Sequence, residues 1–166
     1  MYSLPLLFII VMDGLSLKIR KAWSQGIFQG LYLSPHAIIT HLFFVDDILT
    51  FGMVFRAQWS ALHNIFLRYG STSRLIYNGN KSILVFANGD RCDIKIIASI
   101  FGVRYAPLIE GFPYLGFRIK PNNYKNSDWY SILDKYKKRL NSWSHRWLSL
   151  GGRYLLIQVI LQQIII

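Results

Sequence analysis

The sequence predicts an α+β fold, in which a layer of strands and helices is followed by a helical appendage. Segments whose apolar residues repeat every three or four positions, which is typical of helices, alternate with short β-prone runs. A length of 166 residues suits one ordinary domain with a sizeable core. Hydrophobic residues make up 52% of the chain, which excludes an intrinsically disordered protein.

The first predicted elements are a helix and a hairpin. Residues 6–20 keep their apolar side chains on one helical face, and basic residues favour the C-terminal end of that helix. Two β-prone runs follow at 37–45 and 48–51, rich in Ile, Thr and Phe. Asp46 and Asp47 stand between these runs, and aspartate is a common turn residue. A hairpin with both aspartates at its tip is therefore expected.

Shorter elements are expected between this hairpin and residue 120. An amphipathic pattern at 58–69 predicts a helix whose apolar face includes Trp59 and Leu62. The remaining predictions are a loop with a short strand at 74–80, a strand at 82–86, a helix at 90–101 with Asp90 as its N-cap, and a strand at 114–119.

The polar stretch 121–127 is the best internal boundary, and it divides a first domain at 1–120 from a second at 121–166. The strongest helical pattern follows, with Ser127 or Asp128 as its N-cap. Its apolar residues lie alternately four and three positions apart: Trp129, Leu133, Tyr136, Leu140, Trp143 and Trp147. This spacing favours a face that packs into a core over one that stacks on nucleic-acid bases.

The charge balance indicates an anionic partner. The 19 basic residues outnumber the 8 acidic ones and give a net charge of +11, so nucleic acid is expected first and an anionic membrane surface second. The apolar runs 4–12 and 154–166 are shorter than the about 20 residues that cross a bilayer. One cysteine and four histidines without ligand spacing exclude a disulfide-stapled secreted domain and a zinc site. An intracellular protein of the nucleus or cytoplasm is expected, with no membrane partner.

The adjacent carboxylates of Asp46 and Asp47 need a compensating interaction, because they stand inside the apolar run 42–49. Like charges repel, and burial would raise the cost of ionising both groups. Water at an exposed turn is one solution. A divalent metal such as Mg²⁺ is another, because carboxylate oxygens are its preferred protein ligands. The residue pattern alone favours the exposed turn.

The segment around this pair, residues 39–52, reads ITHLFFVDDILTFG. It resembles the catalytic hairpin of reverse transcriptases from non-LTR retrotransposons, the long interspersed elements, whose members usually read SHLLFADDILLF. Four further blocks resemble motifs of that family in the family's order. They are 5–16 for the helix after the family's Gln-Gly-x-Pro-Leu-Ser-Pro motif, 75–82 for an Asn-x-x-Lys-Ser block, 112–117 for the primer-grip hairpin and 143–161 for the start of the thumb.

The resemblance implies a partial polymerase palm over residues 1–120 and the start of a helical thumb over 121–166. The palm would be an antiparallel sheet with a catalytic hairpin and packed helices. Asp46 and Asp47 would bind Mg²⁺ or Mn²⁺, and Lys81 would lie near the phosphates of the incoming nucleotide. The parent enzyme would act as an RNA-directed DNA polymerase on an RNA template, a DNA primer and deoxynucleoside triphosphates, by two-metal nucleotidyl transfer.

The resemblance also implies a binding surface for the primer. Tyr114, Leu115 and Gly116 would steady the primer end. Basic residues of the thumb segment would follow the phosphates of the nucleic acid, although the same pattern also fits an ordinary solvated helix face. These basic residues are Lys137, Lys138 and Arg153.

The sequence departs from the family at three places. The family's other essential aspartate and its fingers region precede the first residue here, and Leu4 stands where the family has Ser. Val45 replaces a small Ala beside the aspartates. We therefore expect a truncated fragment, without its upstream fingers and palm segment, that has no polymerase activity alone. A non-catalytic basic module that binds nucleic acid and an unexpressed retroelement relic are the alternatives.

Overall fold

A computed structural model describes residues 3–142, 149–152, 154, 155 and 158. The chain divides into two compact units, Met1–Pro107 and Leu108–Ile166. Helices and short strands occur together, in agreement with the predicted α+β class. The boundary predicted between residues 120 and 121 falls inside the second unit and stays a prediction.

The first unit contains three helices and six strands within its described residues. In chain order they are α1 (Ser3–Ser24), β1 (Leu31–Ser34), β2 (Ala37–Ile39), β3 (His41–Phe44), β4 (Asp47–Thr50), α2 (Arg56–Ser73), β5 (Ile83–Phe86), α3 (Arg91–Phe101) and β6 (Arg104–Pro107). The pairs β1–β2 and β3–β4 are antiparallel hairpins. Strands β5 and β6 pair in parallel, with α3 as the connection that parallel pairing requires.

The core of the first unit lies between the helices. The side chains of Ile19 in α1, Leu62 in α2 and Phe28 in the loop after α1 are fully buried, and Ile97 of α3 joins the same cluster. Burial of each such side chain contributes about 1.5–3 kcal/mol to stability. The β3–β4 hairpin packs Phe43 and Ile48 against this cluster. The core therefore determines which face of the hairpin points to solvent.

Several local predictions are confirmed. Helices form where the periodic patterns at 6–20 and 58–69 predicted them, with extra residues at both ends. Asp90 is the N-cap of α3, because its carboxylate accepts the backbone N–H of Cys92 at 3.2 Å. Gly102 ends this helix in the left-handed conformation that glycine adopts without strain.

Other local predictions are wrong because strands depend on their pairing partners. The run 37–45 is not one strand: β2 pairs with the unpredicted β1, and β3 pairs with β4. Residues 74–80, all of which the structure describes, contain no strand. The segment 114–119 is not one strand either, because a turn at Leu115 and Gly116 divides it.

The second unit consists of a 3-10 turn (Leu108–Glu110), the antiparallel hairpin β7 (Phe112–Tyr114) and β8 (Phe117–Ile119), and helix α4 (Asn126–Ser142) within its described residues. Asp128 lies in the first turn of α4 rather than at its N-cap. Its carboxylate accepts the backbone N–H of Lys125 and pairs with the Lys120 ammonium. These two hydrogen bonds lower the pKa of Asp128.

The predicted apolar stripe of α4 does not form a core over its described part. The side chain of Trp129 is 46% exposed and that of Leu133 is 49% exposed. Trp143 and Trp147 lie outside the described residues. Periodicity therefore identified the helix but not the burial of its apolar face.

Gly52, two residues after β4, leaves room for two core aromatic rings. A Cβ atom at this position would lie 3.0 Å from the Phe28 ring and 3.2 Å from the Trp59 ring. We expect Gly52→Ala to lower the free energy of unfolding by about 1–3 kcal/mol, the usual cost of overpacking. Urea unfolding measures this change.

Gly151→Ala is the matched control, because a Cβ atom at Gly151 meets no atom of the described residues within 4 Å. Because Gly151 is helical, alanine should leave the free energy of unfolding unchanged or raise it by up to about 1 kcal/mol. Equal effects of the two substitutions would contradict the packing described for Gly52.

Candidate metal and nucleic-acid site

The tip of the β3–β4 hairpin carries the candidate metal ligands. Register pairs Phe44 with Asp47, which leaves Val45 and Asp46 as a two-residue turn. Asp46 therefore lies at the tip, whereas Asp47 is the first residue of β4. The prediction that both aspartates lie between the strands is wrong for Asp47.

Strand alternation decides where the Asp47 carboxylate points. Successive side chains of a strand point to opposite faces, and directly paired residues share a face. Phe43 and Ile48 face the core, so Asp47 and its partner Phe44 lie on the outer face. Asp46 and Asp47 are both exposed. Water therefore relieves the repulsion between the carboxylates, and a dissolved cation has access to both.

Val45 adopts a backbone conformation that is unfavourable for its type. Its φ is 51°, in the left-handed region, where a β-branched side chain costs about 1–2 kcal/mol. Two-residue hairpin turns usually place Gly, Asn or Asp at such positions. Strained residues of this kind concentrate at functional sites, where the surrounding structure holds them in place.

His41 anchors the base of the hairpin to α1. Its Nε2 lies 2.8 Å from Ser16 Oγ on α1, and its Nδ1 lies 2.8 Å from Thr40 Oγ1. Its ring also packs against Phe43 with centroids 4.7 Å apart. Burial lowers the pKa of His41, and the positive charge of Arg20 lowers it further. These contacts give His41 a structural role.

Acidic ligands for a metal are few in the first unit. Asp93 pairs with Arg56, and Asp90 caps α3. The described residues contain no group of three His, Cys, Asp or Glu side chains that could hold a metal ion. Asp46 and Asp47 are two adjacent carboxylates, and the described residues add no third such ligand to them. Two carboxylates fit Mg²⁺ that is bound together with water and substrate phosphates.

Lys81 lies in a turn that Asn78 organises. The side-chain oxygen of Asn78 accepts the backbone N–H of Asn80 at 3.0 Å, and its carbonyl accepts that of Ser82 at 3.0 Å. The Lys81 side chain is exposed, and Lys81 lies two residues before β5. Among the described residues, no ion pair joins Lys81 to either aspartate of the hairpin. Leu84 of β5 packs on the same core as the hairpin.

The predicted primer-binding residues form a second tight hairpin in the second unit. Tyr114 pairs with Phe117, and the turn between them has φ of 49° at Leu115 and 86° at Gly116. Positive φ at both positions is characteristic of a type I′ turn. The Lys135 ammonium of α4 lies 3.4 Å from the position of a Cβ atom on Gly116. The sequence patterns did not identify Lys135, because its position depends on α4 packing beside β8.

The basic residues predicted to track phosphates differ in their surroundings. Lys137 is exposed on α4. Lys138 is exposed too, but its ammonium lies 2.9 Å from the carboxylate of Asp134. An exposed pair of this kind contributes about 0.3–0.5 kcal/mol and leaves the lysine accessible to solvent. Arg153 lies outside the described residues.

Comparison of the chain with protein-family models, with curated proteins and with solved structures finds no match. The functional assignment therefore depends on the residues, their geometry and the motif resemblance. A membrane-crossing helix, which needs a long apolar segment, does not occur among the described residues.

Replacing Val45 with glycine should stabilise the protein. Glycine adopts positive φ without strain, so Val45→Gly should raise the free energy of unfolding by about 1 kcal/mol. Val103→Gly is the matched control, because Val103 is not among the described residues with positive φ and should lose stability on substitution. Loss of stability in Val45→Gly, measured by urea unfolding, would show that the turn is not strained.

The stability of the protein should decrease in mild acid because of His41. The unfolded histidine gains a proton as the pH falls through about 6.5, while the folded one, with its lowered pKa, stays neutral. The unfolded state then binds more protons, so this contribution to stability is complete above pH 6.5 and is lost on acidification. Urea unfolding at pH 7.5 and pH 5.5 measures the loss.

His41→Gln should reduce this pH dependence, and the same substitution at the exposed His36 is the control. The interpretation fails if His41→Gln retains the full decrease between the two pH values.

Proposed function

We propose that this chain carries part of the palm of a reverse transcriptase resembling those of non-LTR retrotransposons, followed by the start of its thumb. The observation that carries the proposal is a pair of exposed carboxylates, Asp46 in the turn of a strained hairpin and Asp47 directly after it, on a hairpin that packs against a helical core. The motif at 39–52 and the order of the other blocks along the chain support the same function.

The proposed reaction is attack of a primer 3′-hydroxyl on the α-phosphorus of a deoxynucleoside triphosphate, with pyrophosphate as the leaving group. Asp46 and Asp47 would hold Mg²⁺ or Mn²⁺, which supplies charge stabilisation to the phosphates when bound. The exposed Lys81 ammonium would add positive charge near the leaving pyrophosphate. The RNA template would select the incoming nucleotide by base pairing.

The second unit would hold the primer. A type I′ turn presents Leu115 and Gly116 at the tip of a rigid hairpin, and Tyr114 lies directly beside it. Lys135 places an ammonium group next to that tip. A rigid tip with one adjacent cation suits contact with a phosphate of the primer end.

The chain by itself should be an incomplete enzyme. A two-metal site needs carboxylates that share ions roughly 3.5–4 Å apart, and the described residues bring no third ligand to Asp46 and Asp47. Metal affinity should therefore be weak without substrate phosphates. We propose that nucleotide transfer requires a further carboxylate outside these residues.

A non-catalytic nucleic-acid-binding module is the second candidate function. The net charge of +11 and the exposed lysines of α4 favour it. Such a module would bind RNA or DNA independently of divalent metal, whereas the polymerase proposal requires metal at the hairpin tip.

Mn²⁺ should bind at the hairpin tip. In NMR spectra, paramagnetic Mn²⁺ should broaden the backbone amide signals of Val45, Asp46 and Asp47 before those of other segments. Asp46→Asn should weaken Mn²⁺ affinity about tenfold or more because it removes a ligand charge. Asp134→Asn is the matched control, since Asp134 is an exposed aspartate on α4. Equal broadening of the amide signals at the hairpin tip and around Asp134 would overturn the metal-site proposal.

Primer extension tests whether the chain is complete. With an RNA template, a DNA primer, deoxynucleoside triphosphates and Mg²⁺ or Mn²⁺, the 166-residue chain should give no extended product. Extension by the wild-type chain that Asp46→Asn abolishes would contradict the expected incompleteness, and would at the same time establish the catalytic role of Asp46.

A further inference from the structure

A cleft of about 340 Å³ lies between the C-terminal half of α1 and the face of α2 that carries Ala61, Asn64 and Arg68. Consecutive members of this set are three and then four positions apart, which places them on one side of the helix. Lys18 and Lys21, one turn apart on α1, line the opposite wall. The cleft is open to solvent.

All the charged residues that line this cleft are basic. Lys18 and Lys21 contribute ammonium groups and Arg68 contributes a guanidinium, while no acidic side chain of the described chain lines it. None of the three takes part in an ion pair among the described residues. A ligand that fits this charge pattern is an anion.

The cleft is separate from the candidate metal site. Ser16 on α1 contacts His41 of the hairpin, so the hairpin lies on the Ser16 side of the helix. At about 100° per residue, Lys18 and Lys21 lie about 140–160° around the helix axis from Ser16. The hairpin and the cleft therefore occupy opposite sides of α1.

The uncharged lining suits a sugar-phosphate backbone. Ala22 and Ala61 are small, so they leave room for a ligand, and Ile27 and Ile65 add apolar surface that can lie against sugar carbons. The amides of Gln25 and Asn64 can donate hydrogen bonds to phosphate or sugar oxygens. No aromatic residue of the described chain lines the cleft. Binding would therefore use the backbone of the ligand rather than stacking of its bases.

We propose that this cleft binds the phosphates of a single nucleic-acid strand, at a site distinct from the hairpin and independent of divalent metal. Lys18 and Lys21 contact phosphates from one wall of the cleft. The Arg68 guanidinium donates two hydrogen bonds to a phosphate from the other wall. Favourable interaction with the helix dipole explains a lysine at position 21, near the C-terminus of α1. The same effect does not explain Arg68, because α2 has no basic residue in its last turn. Binding at the cleft does not depend on base sequence.

The test measures binding of a fluorescent 20-nucleotide oligo(dT) by anisotropy between 50 and 300 mM salt, with EDTA present. The cleft variant combines Lys18→Ala, Lys21→Ala and Arg68→Ala. The control variant combines Arg91→Ala, Lys95→Ala and Arg104→Ala, which removes three exposed charges elsewhere in the same unit. Circular dichroism confirms that both variants fold.

Loss of three phosphate contacts should reduce the slope of log affinity against log salt by about 2 in the cleft variant. The control variant should change this slope by less than about half as much. Photocrosslinking of oligo(dT) that contains 4-thiothymidine to the wild-type protein should label peptides with Lys18, Lys21 or Arg68, without any need for variants.

Equal slope changes in the two triple variants, or crosslinks that avoid the cleft peptides, would overturn the proposal. A labelled 20-residue polyglutamate peptide tests the alternative ligand of the cleft, an acidic peptide. If its binding depends on the cleft cations while oligo(dT) binding does not, the cleft is an acidic-peptide site and the proposal is wrong. Because EDTA removes divalent metal, these outcomes are independent of the metal-site proposal.

Discussion

Packing of the β3–β4 hairpin against the helical core determines the orientation of the candidate metal ligands. Phe43 and Ile48 face the buried cluster, and the Ser16–His41 hydrogen bond ties the base of β3 to α1. Because side chains alternate along a strand, this seating sends Asp47 to the outer face. A register shift of one residue would turn Asp47 towards the core, where an unpaired carboxylate is costly.

The β3–β4 and β7–β8 hairpins share an unusual feature, a bulky residue with positive φ in the turn. Val45 in the first and Leu115 in the second are bulky residues with positive φ, at positions where small or polar residues are preferred. Pairing of the flanking strands holds both turns in place. Strain retained at two exposed tips, together with carboxylates at one and a lysine ammonium at the other, is consistent with tips that bind ligands.

Features that depend on residues close together in the sequence were predictable from the sequence. Periodicity predicted α2, and the Asp90 cap predicted the start of α3. Strands β1 and β6 were missed because each exists only through its partner, and β6 pairs in parallel with a strand on the far side of α3. The hairpin aspartates were identifiable, but the Val45 conformation, Lys135 and the basic cleft arise from packing between distant segments.

The most direct test of this account is a crystal structure of the protein grown with MnCl₂. An anomalous difference peak should appear at the hairpin tip, within about 2.5 Å of a carboxylate oxygen of Asp46 or Asp47. Phe43 and Ile48 should lie against the helical core. A hairpin in this register with manganese bound elsewhere, or a register that turns Asp47 inward, would contradict this account.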